Sequence, residues 1–168
     1  MTRPDALPPY LAQAHPRQMP WHIAMMAMNE GVPSPDPFGP FTYADLGCGM
    51  GLTAAMVAAL HPQAEVIGLD VHPGMIRWCQ ENLSRPGVEV HFDHHDVWSP
   101  TYAPGNTRRD SLPIRQYGSD FTLVNAHSVF THLYERQTEF YLEECRRMIG
   151  ERGVLRTTWF FFNRDWFP

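Results

Sequence analysis

The sequence contains no lysine: all 13 of its basic residues are arginine. That absence excludes a Schiff-base lysine, a phosphate-loop lysine and any side-chain amine as nucleophile, and with them pyridoxal-phosphate enzymes and P-loop NTPases. Cysteine is scarce as well. Cys48, Cys79 and Cys145 are odd in number, far apart and without a C-x-x-C pair, which fits a reducing compartment better than a disulfide framework or a zinc site. Long apolar runs are missing: stretches such as Leu52 to Leu60 fall far short of a membrane span, and the proline-rich start has no signal-peptide core. A cytoplasmic protein without a membrane partner is expected.

Clustered positive charge is also absent. The formal net charge is -5 and the arginines are scattered, so nothing draws the chain to a polyanion, and nucleic acid is not an expected partner. A length of 168 residues suggests one main domain, able to bury roughly two-thirds of its unfolded surface.

What is present is unevenly distributed. Nine of the 16 prolines fall within the first 40 residues, around one helix-compatible stretch from Gln18 to Glu30, so residues 1–40 read as an appendage and 41–168 as the domain. Met25, Met26 and Met28, with Trp21 and Ile23, suit either a helix packed on the domain surface or an adaptable acceptor pocket. From residue 41 the pattern becomes regular. A strand at Phe41 to Leu46 leads through a glycine turn to a helix at Leu52 to Leu60. A second strand (Glu65 to Asp70), a second helix (Met75 to Leu83) and a third strand (Val88 to Phe92) follow. Residues 97–119 read as a long loop with at most one weak helical turn. Beyond them come a strand at Asp120 to Ala126, an amphipathic helix at Glu135 to Met148 and a fifth strand at Val154 to Phe160. Alternating strands and helices imply an α/β fold with a doubly wound, mainly parallel sheet.

The informative segment is Asp45-Leu46-Gly47-Cys48-Gly49-Met50-Gly51 between the first strand and first helix. Glycines there permit a sharp turn and close approach of backbone to a ligand, and the helix start offers unpaired N–H groups. The spacing is G-x-G-x-G, not the G-x-G-x-x-G of dinucleotide folds. An acid two residues ahead would repel a phosphate but suits a ligand that carries an ammonium group. Asp70 ends the second strand, where a carboxylate is able to accept both hydroxyls of a ribose.

In these features the sequence resembles the class I S-adenosylmethionine-dependent methyltransferases, over residues 41 to about 160. FTYADLGCGMG resembles the family's glycine motif and VIGLDVHPGMI its second-strand acidic motif. HHDVW resembles the segment that brackets adenine, FTLVNAHSVFTHL the fourth-strand motif, and YLEECRRMIGERGVLRTTWFFF the following helix, turn and strand. SVFTHL with the final aromatic strand is similar to a bacterial subgroup that methylates sugars or other small molecules at oxygen. The resemblance implies a Rossmann-like fold with S-adenosyl-L-methionine as cofactor and a small hydroxylated acceptor as partner. It implies that Gly47, Cys48, Gly49 and Gly51 pass under the cofactor's methionine and ribose, with Asp45 near its amino group and Asp70 on the ribose hydroxyls. Val71 and Met75 would flank the adenine. Asp96 would face adenine N6, the Val97 N–H would face N1, and Asn125, Ala126 and His127 would border the transfer site.

An alcohol acceptor has to lose a proton, and histidine is the side chain whose ordinary pKa suits that near neutrality. His127 and His132, just beyond the fourth strand, are the candidate catalytic bases; either may instead shape the pocket. His91, His94 and His95 are not expected to hold a metal, because neighbouring strand residues point to opposite faces. Arg108 and Arg109 fit a solvated loop or an acidic acceptor. Two other readings stay open: an NAD(P)-dependent oxidoreductase, and a cofactor-binding domain that is catalytically incomplete. The family's sheet has seven strands and only five are visible here, which leaves two C-terminal strands to seek. Trp159, Phe160, Phe161, Phe162, Trp166 and Phe167 would lie near an edge that a second copy or a continuation of the chain covers.

Overall fold

The computed structural model describes residues 14–85, 87–106, 111 and 113–160. Arg108, Arg109, Phe161, Phe162, Trp166 and Phe167 lie outside the described residues. The strands are β1 (Thr42–Leu46), β2 (Glu65–Asp70), β3 (Val90–His94), β4 (Phe121–Ala126) and β5 (Ile149–Thr157), and the helices α1 (Pro20–Asn29), α2 (Leu52–Leu60), α3 (Pro73–Asn82) and α4 (Glu135–Met148). All strand pairs are parallel, in the order β3-β2-β1-β4-β5. The expected doubly wound sheet is therefore the observed one.

Local chemistry explains where the helices begin. Four alanines and the absence of a β-branched run favour helix over Leu52–Leu60. Gly51 precedes it at φ 67°, a left-handed conformation that glycine adopts without cost. A Cβ at that position would stand 2.5 Å from Phe92 and 2.8 Å from the Cys79 sulfur, so the α2 start, β3 and α3 meet there too tightly for any side chain. In α3 the His72 Nδ1 accepts the Met75 N–H at 3.2 Å and Pro73 occupies the first turn, which meets two needs of a helix N-terminus. Glu135 in the first turn of α4 and Arg146 and Arg147 in the last oppose the helix dipole with the favourable sign.

Two apolar clusters cover the two sheet faces. One joins Tyr43, Val66 and Leu123 to Val57 of α2 and Ile76 and Cys79 of α3, and it also contains Met19 and Ile23. The N-terminal helix is thus part of the core, which corrects its reading as an appendage. Ile23, Ala24 and Ala27 are buried while Trp21, Met25, Met26 and Met28 are exposed, and these methionines are not among the residues that line the cavity described below. The other cluster sets Ala44, Val124 and Ala126 against Tyr141, Cys145 and Met148 of α4.

Two further boundaries differ from the sequence reading. β3 extends to His94. β5 starts directly after α4 and absorbs Gly150 to Gly153 as an irregularity in its pairing with β4, because a Cβ at Gly153 would collide with the Phe121 carbonyl oxygen. In the loop after β3 the described residues include one short 3-10 turn, Arg115–Tyr117, in line with the expected weak helical turn, and an antiparallel bridge between Ser99 and Ala103.

Candidate active site

Parallel sheets present ligand sites at the carboxyl ends of their strands, and a cavity of about 170 Å³ opens there. Asp70, at the end of β2, forms one wall. Its Oδ2 accepts the Gly49 N–H and its Oδ1 the His72 N–H, both at 2.8 Å. Two backbone donors fix the carboxylate plane and leave each oxygen a further lone pair. Burial pushes this carboxyl's pKa up, and the two N–H groups oppose the shift. The glycine turn is tied to the same strand, since the Gly47 and Cys48 N–H groups reach the Leu69 carbonyl at 2.8 and 2.9 Å. Gly47, Gly49, Asp70, Val71, Met75 and Val97 all face the cavity.

Asp45, Cys48, Gly51, Asp96, Asn125 and Ala126 do not line it. Asp45 and Asn125 stand behind the wall, in register on β1 and β4, with Arg156 next in line on β5. Asn125 is fully buried and both of its polar side-chain atoms are hydrogen-bonded. Its Nδ2 donates to Asp45 Oδ1 and to Gln18 Oε1, both at 2.8 Å, and its Oδ1 accepts from Arg156 Nη1 at 2.9 Å. Gln18 comes from the segment leading into α1. Burial raises the Asp45 carboxyl to about 7, because a charge removed from water costs more than one hydrogen bond returns.

The same guanidinium settles the chemistry of His127. Arg156 Nη1 lies 3.2 Å from His127 Nδ1, and arginine only donates, so Nδ1 accepts and the neutral ring carries its proton on Nε2. Burial, then the Arg156 charge, then His15 lower its pKa. His127, which lines the cavity, thus carries its ring proton on the nitrogen away from Arg156.

The opposite wall joins His132, a residue singled out in the sequence, to others that the sequence pattern did not assign to it. His95, placed after β3, is held by the Tyr141 hydroxyl at 2.9 Å and the Tyr117 hydroxyl at 3.4 Å, and burial lowers it to about 4. His94 Nε2 lies 3.1 Å from the Val71 carbonyl oxygen. Tyr102 and His132 face each other across the rim, hydroxyl to Nε2, at 3.1 Å. A polar residue one position before the end of three strands, namely Asp45, Asn125 and Arg156, was a signal for the buried row. Nothing local marked Gln18 or Tyr102.

Residues 44–155 match the family model described as a methyltransferase domain. The chain belongs to the methyltransferase domain family. Its class I fold agrees: PKMT2 from Rickettsia typhi in complex with AdoHcy superimposes with a TM-score of 0.69 at 17% identity, over 88% of this chain and 26% of that one. Coclaurine N-methyltransferase bound to N-methylheliamine and SAH gives 0.52 at 19% identity, over 81% and 35%. Among curated sequences, an uncharacterised methyltransferase of Emericella nidulans is 35% identical over 98 residues, 54% of this chain and 34% of the relative. Trans-aconitate 2-methyltransferase of Methylobacterium radiotolerans is 42% identical over 60 residues, 36% of this chain and 22% of the relative. The match thus spans 34% and 22% of the length of these two curated relatives. Membership of this family overturns the oxidoreductase alternative. No helix among the described residues is long and apolar enough to cross a membrane.

Proposed function

We propose that this methyltransferase domain binds S-adenosylmethionine between the ends of β1 and β2 and transfers its methyl group to an oxygen of a small acceptor beside β4. The observation that carries the reading is the continuity of one cavity from Gly47, Asp70 and Met75 to His127, Ser128 and His132. The donor set fits the cofactor. Asp70 keeps lone pairs for two ribose hydroxyls, and Val71, Met75 and Val97 offer apolar surface for an adenine. Asp96 lies outside the wall, beside Val97, and Gly47 and Gly49 leave room at the turn where Cys48 and Gly51 complete the loop. Asp45 and Asn125 serve as the polar backing of the methionine end, with Ala126 closing the floor.

When bound, S-adenosylmethionine supplies an electrophilic methyl on a sulfonium centre. The protein's own part is to align the acceptor behind that methyl and to exclude water. His127 orients an acceptor or cofactor oxygen as a hydrogen-bond donor, and His132 is left as the proton acceptor. The AdoHcy and SAH complexes among the structural neighbours support the cofactor, and the relative named for trans-aconitate supports a small acceptor. Incubation with methyl-labelled S-adenosylmethionine and a panel of hydroxylated metabolites and small acids, followed by mass spectrometry, tests the reading. Labelled methyl ethers or esters are expected, and Asp70→Ala should raise the KM for S-adenosylmethionine at least about tenfold, the cost of one charge-assisted hydrogen bond. Labelled amines alone, or no product from any acceptor, would sink it.

A further inference from the structure

Tyr102 belongs to a stretch with no periodicity, yet its placement is tightly determined. Ser99 and Ala103 pair across the turn, through Ser99 N–H to Ala103 O at 3.3 Å and Ala103 N–H to Ser99 O at 3.0 Å. The Tyr102 N–H reaches Ser99 Oγ at 3.3 Å. Ala103 and Asn106 are buried, and Asn106 Nδ2 staples the turn to the Val97 carbonyl at 3.0 Å and the Val71 carbonyl at 2.8 Å. The hairpin is therefore anchored to the ends of β2 and β3, beside Asp70. From there the Tyr102 ring crosses the cavity to His132, with centroids 5.1 Å apart and planes at 77°.

On the other side, His132 sits in the short turn Phe130–His132, fixed by buried Phe130. Ser128 Oγ approaches His132 Nε2 at 3.5 Å and Thr131 Oγ1 at 3.4 Å. Ser128 holds a left-handed φ of 58°, a costly conformation for a residue with a Cβ that clusters at working sites. Tyr102, Ser128 and His132 all line the cavity that reaches Asp70. Among the described residues the groups recorded at the His132 ring nitrogens are hydroxyls, those of Tyr102 and Ser128, whereas His127 faces a guanidinium.

We propose that Tyr102 is a catalytic residue: its phenolic oxygen takes the proton of a hydroxyl acceptor while it passes its own proton to His132 Nε2. This rests on the oxygen-methylation reading above. In the step, a carbon–oxygen bond forms to the acceptor and the carbon–sulfur bond breaks, its electron pair staying on sulfur. The acceptor O–H bond breaks and the proton moves to the Tyr102 oxygen as the Tyr102 proton moves to His132, whose imidazolium then releases it to water. The pair acts as one unit, so removing either member should cost nearly as much as removing both.

The test compares the unaltered chain with Tyr102→Phe, His132→Gln and the double variant at a mildly alkaline pH, using S-adenosylmethionine with phenol, catechol and 4-nitrophenol, the last acidic enough to be largely ionised there. With phenol or catechol each single variant should lower kcat about 100-fold, in the range of general-base contributions, and the double variant no more than a few-fold further. With the ionised phenol the loss should stay under about threefold, since that acceptor needs no base. A merely structural role would lower turnover of all three alike. Equal losses on all acceptors, undiminished phenol turnover, or S-adenosylhomocysteine binding without methylation of any phenol would each overturn the proposal. In those cases the cofactor reading stands; absence of S-adenosylhomocysteine binding by the unaltered chain would overturn both.

Discussion

Asp45 is 2% exposed, and its carboxyl accepts a hydrogen bond from the Asn125 amide. The nearest cation on β5, Arg156, is bonded to Asn125 and His127 and acts on the carboxyl only through space. Burial therefore dominates, and the carboxyl rises from 3.8 to about 7. An acid with a higher pKa folded than unfolded binds more protons when folded between those two values. Its contribution favours folding below the window and is lost as pH rises through it. Asp45→Asn keeps an oxygen for the Asn125 amide and removes the charge. The variant should melt above the unaltered chain at pH 8 by the equivalent of about 1–4 kcal/mol, and the gap should close toward pH 4; a gap independent of pH would show that Asp45 titrates normally. His95 contributes with the opposite sign, since its folded value is lowered to about 4 and its neutral form is the one the core accepts.

At this scale the residues legible in the sequence were those fixed by position along a strand. Asp70 and Gly47 lie at strand ends, where the sheet itself decides what they face. Tyr102, Arg156 and Gln18 become neighbours of the site only through contacts between segments 29 to 107 residues apart, such as Arg156 with His127 and Gln18 with Asn125, and no local spacing encodes those contacts. The tautomer of His127 was not legible, because it depends on an arginine from another strand.

Among the elements, the row Asp45–Asn125–Arg156 crosses three adjacent strands and takes in Gln18 from the approach to α1. Every polar atom of the Asn125 amide is paired in a site without water access, where an unpaired group costs about 1–3 kcal/mol. Asn125→Ala orphans both Gln18 Oε1 and the Asp45 carboxyl, so chemical denaturation should report a loss of about 3 kcal/mol or more. A loss under about 1 kcal/mol would mean that the row is wetter than its burial implies. The α2 and β2 boundaries matched the sequence expectation because alanine content, Gly51 and His61-Pro62 all punctuate the same limits. β5 did not, because its first residues pair with β4 only through an irregularity that Gly153 makes room for.

Across the whole molecule, the sheet is buried at its centre and half-exposed at β5, none of whose residues is fully covered. The carboxyl edge carries every residue assigned a chemical role, and both connections that frame it, the glycine turn after β1 and the hairpin after β3, are bonded to β2. Fold and cofactor edge were legible because βαβ order fixes handedness and therefore which sheet end faces the ligand. The acceptor wall was not, since it is assembled from loops.

Binding at that edge must stabilise the fold by mass action, and it is the most direct consequence of the geometry. Isothermal titration of the unaltered chain with S-adenosylhomocysteine, repeated with Asp70→Ala, should give saturable one-to-one binding that weakens at least about tenfold in the variant. No saturable heat, or an affinity indifferent to Asp70, would contradict a cofactor site between β1 and β2.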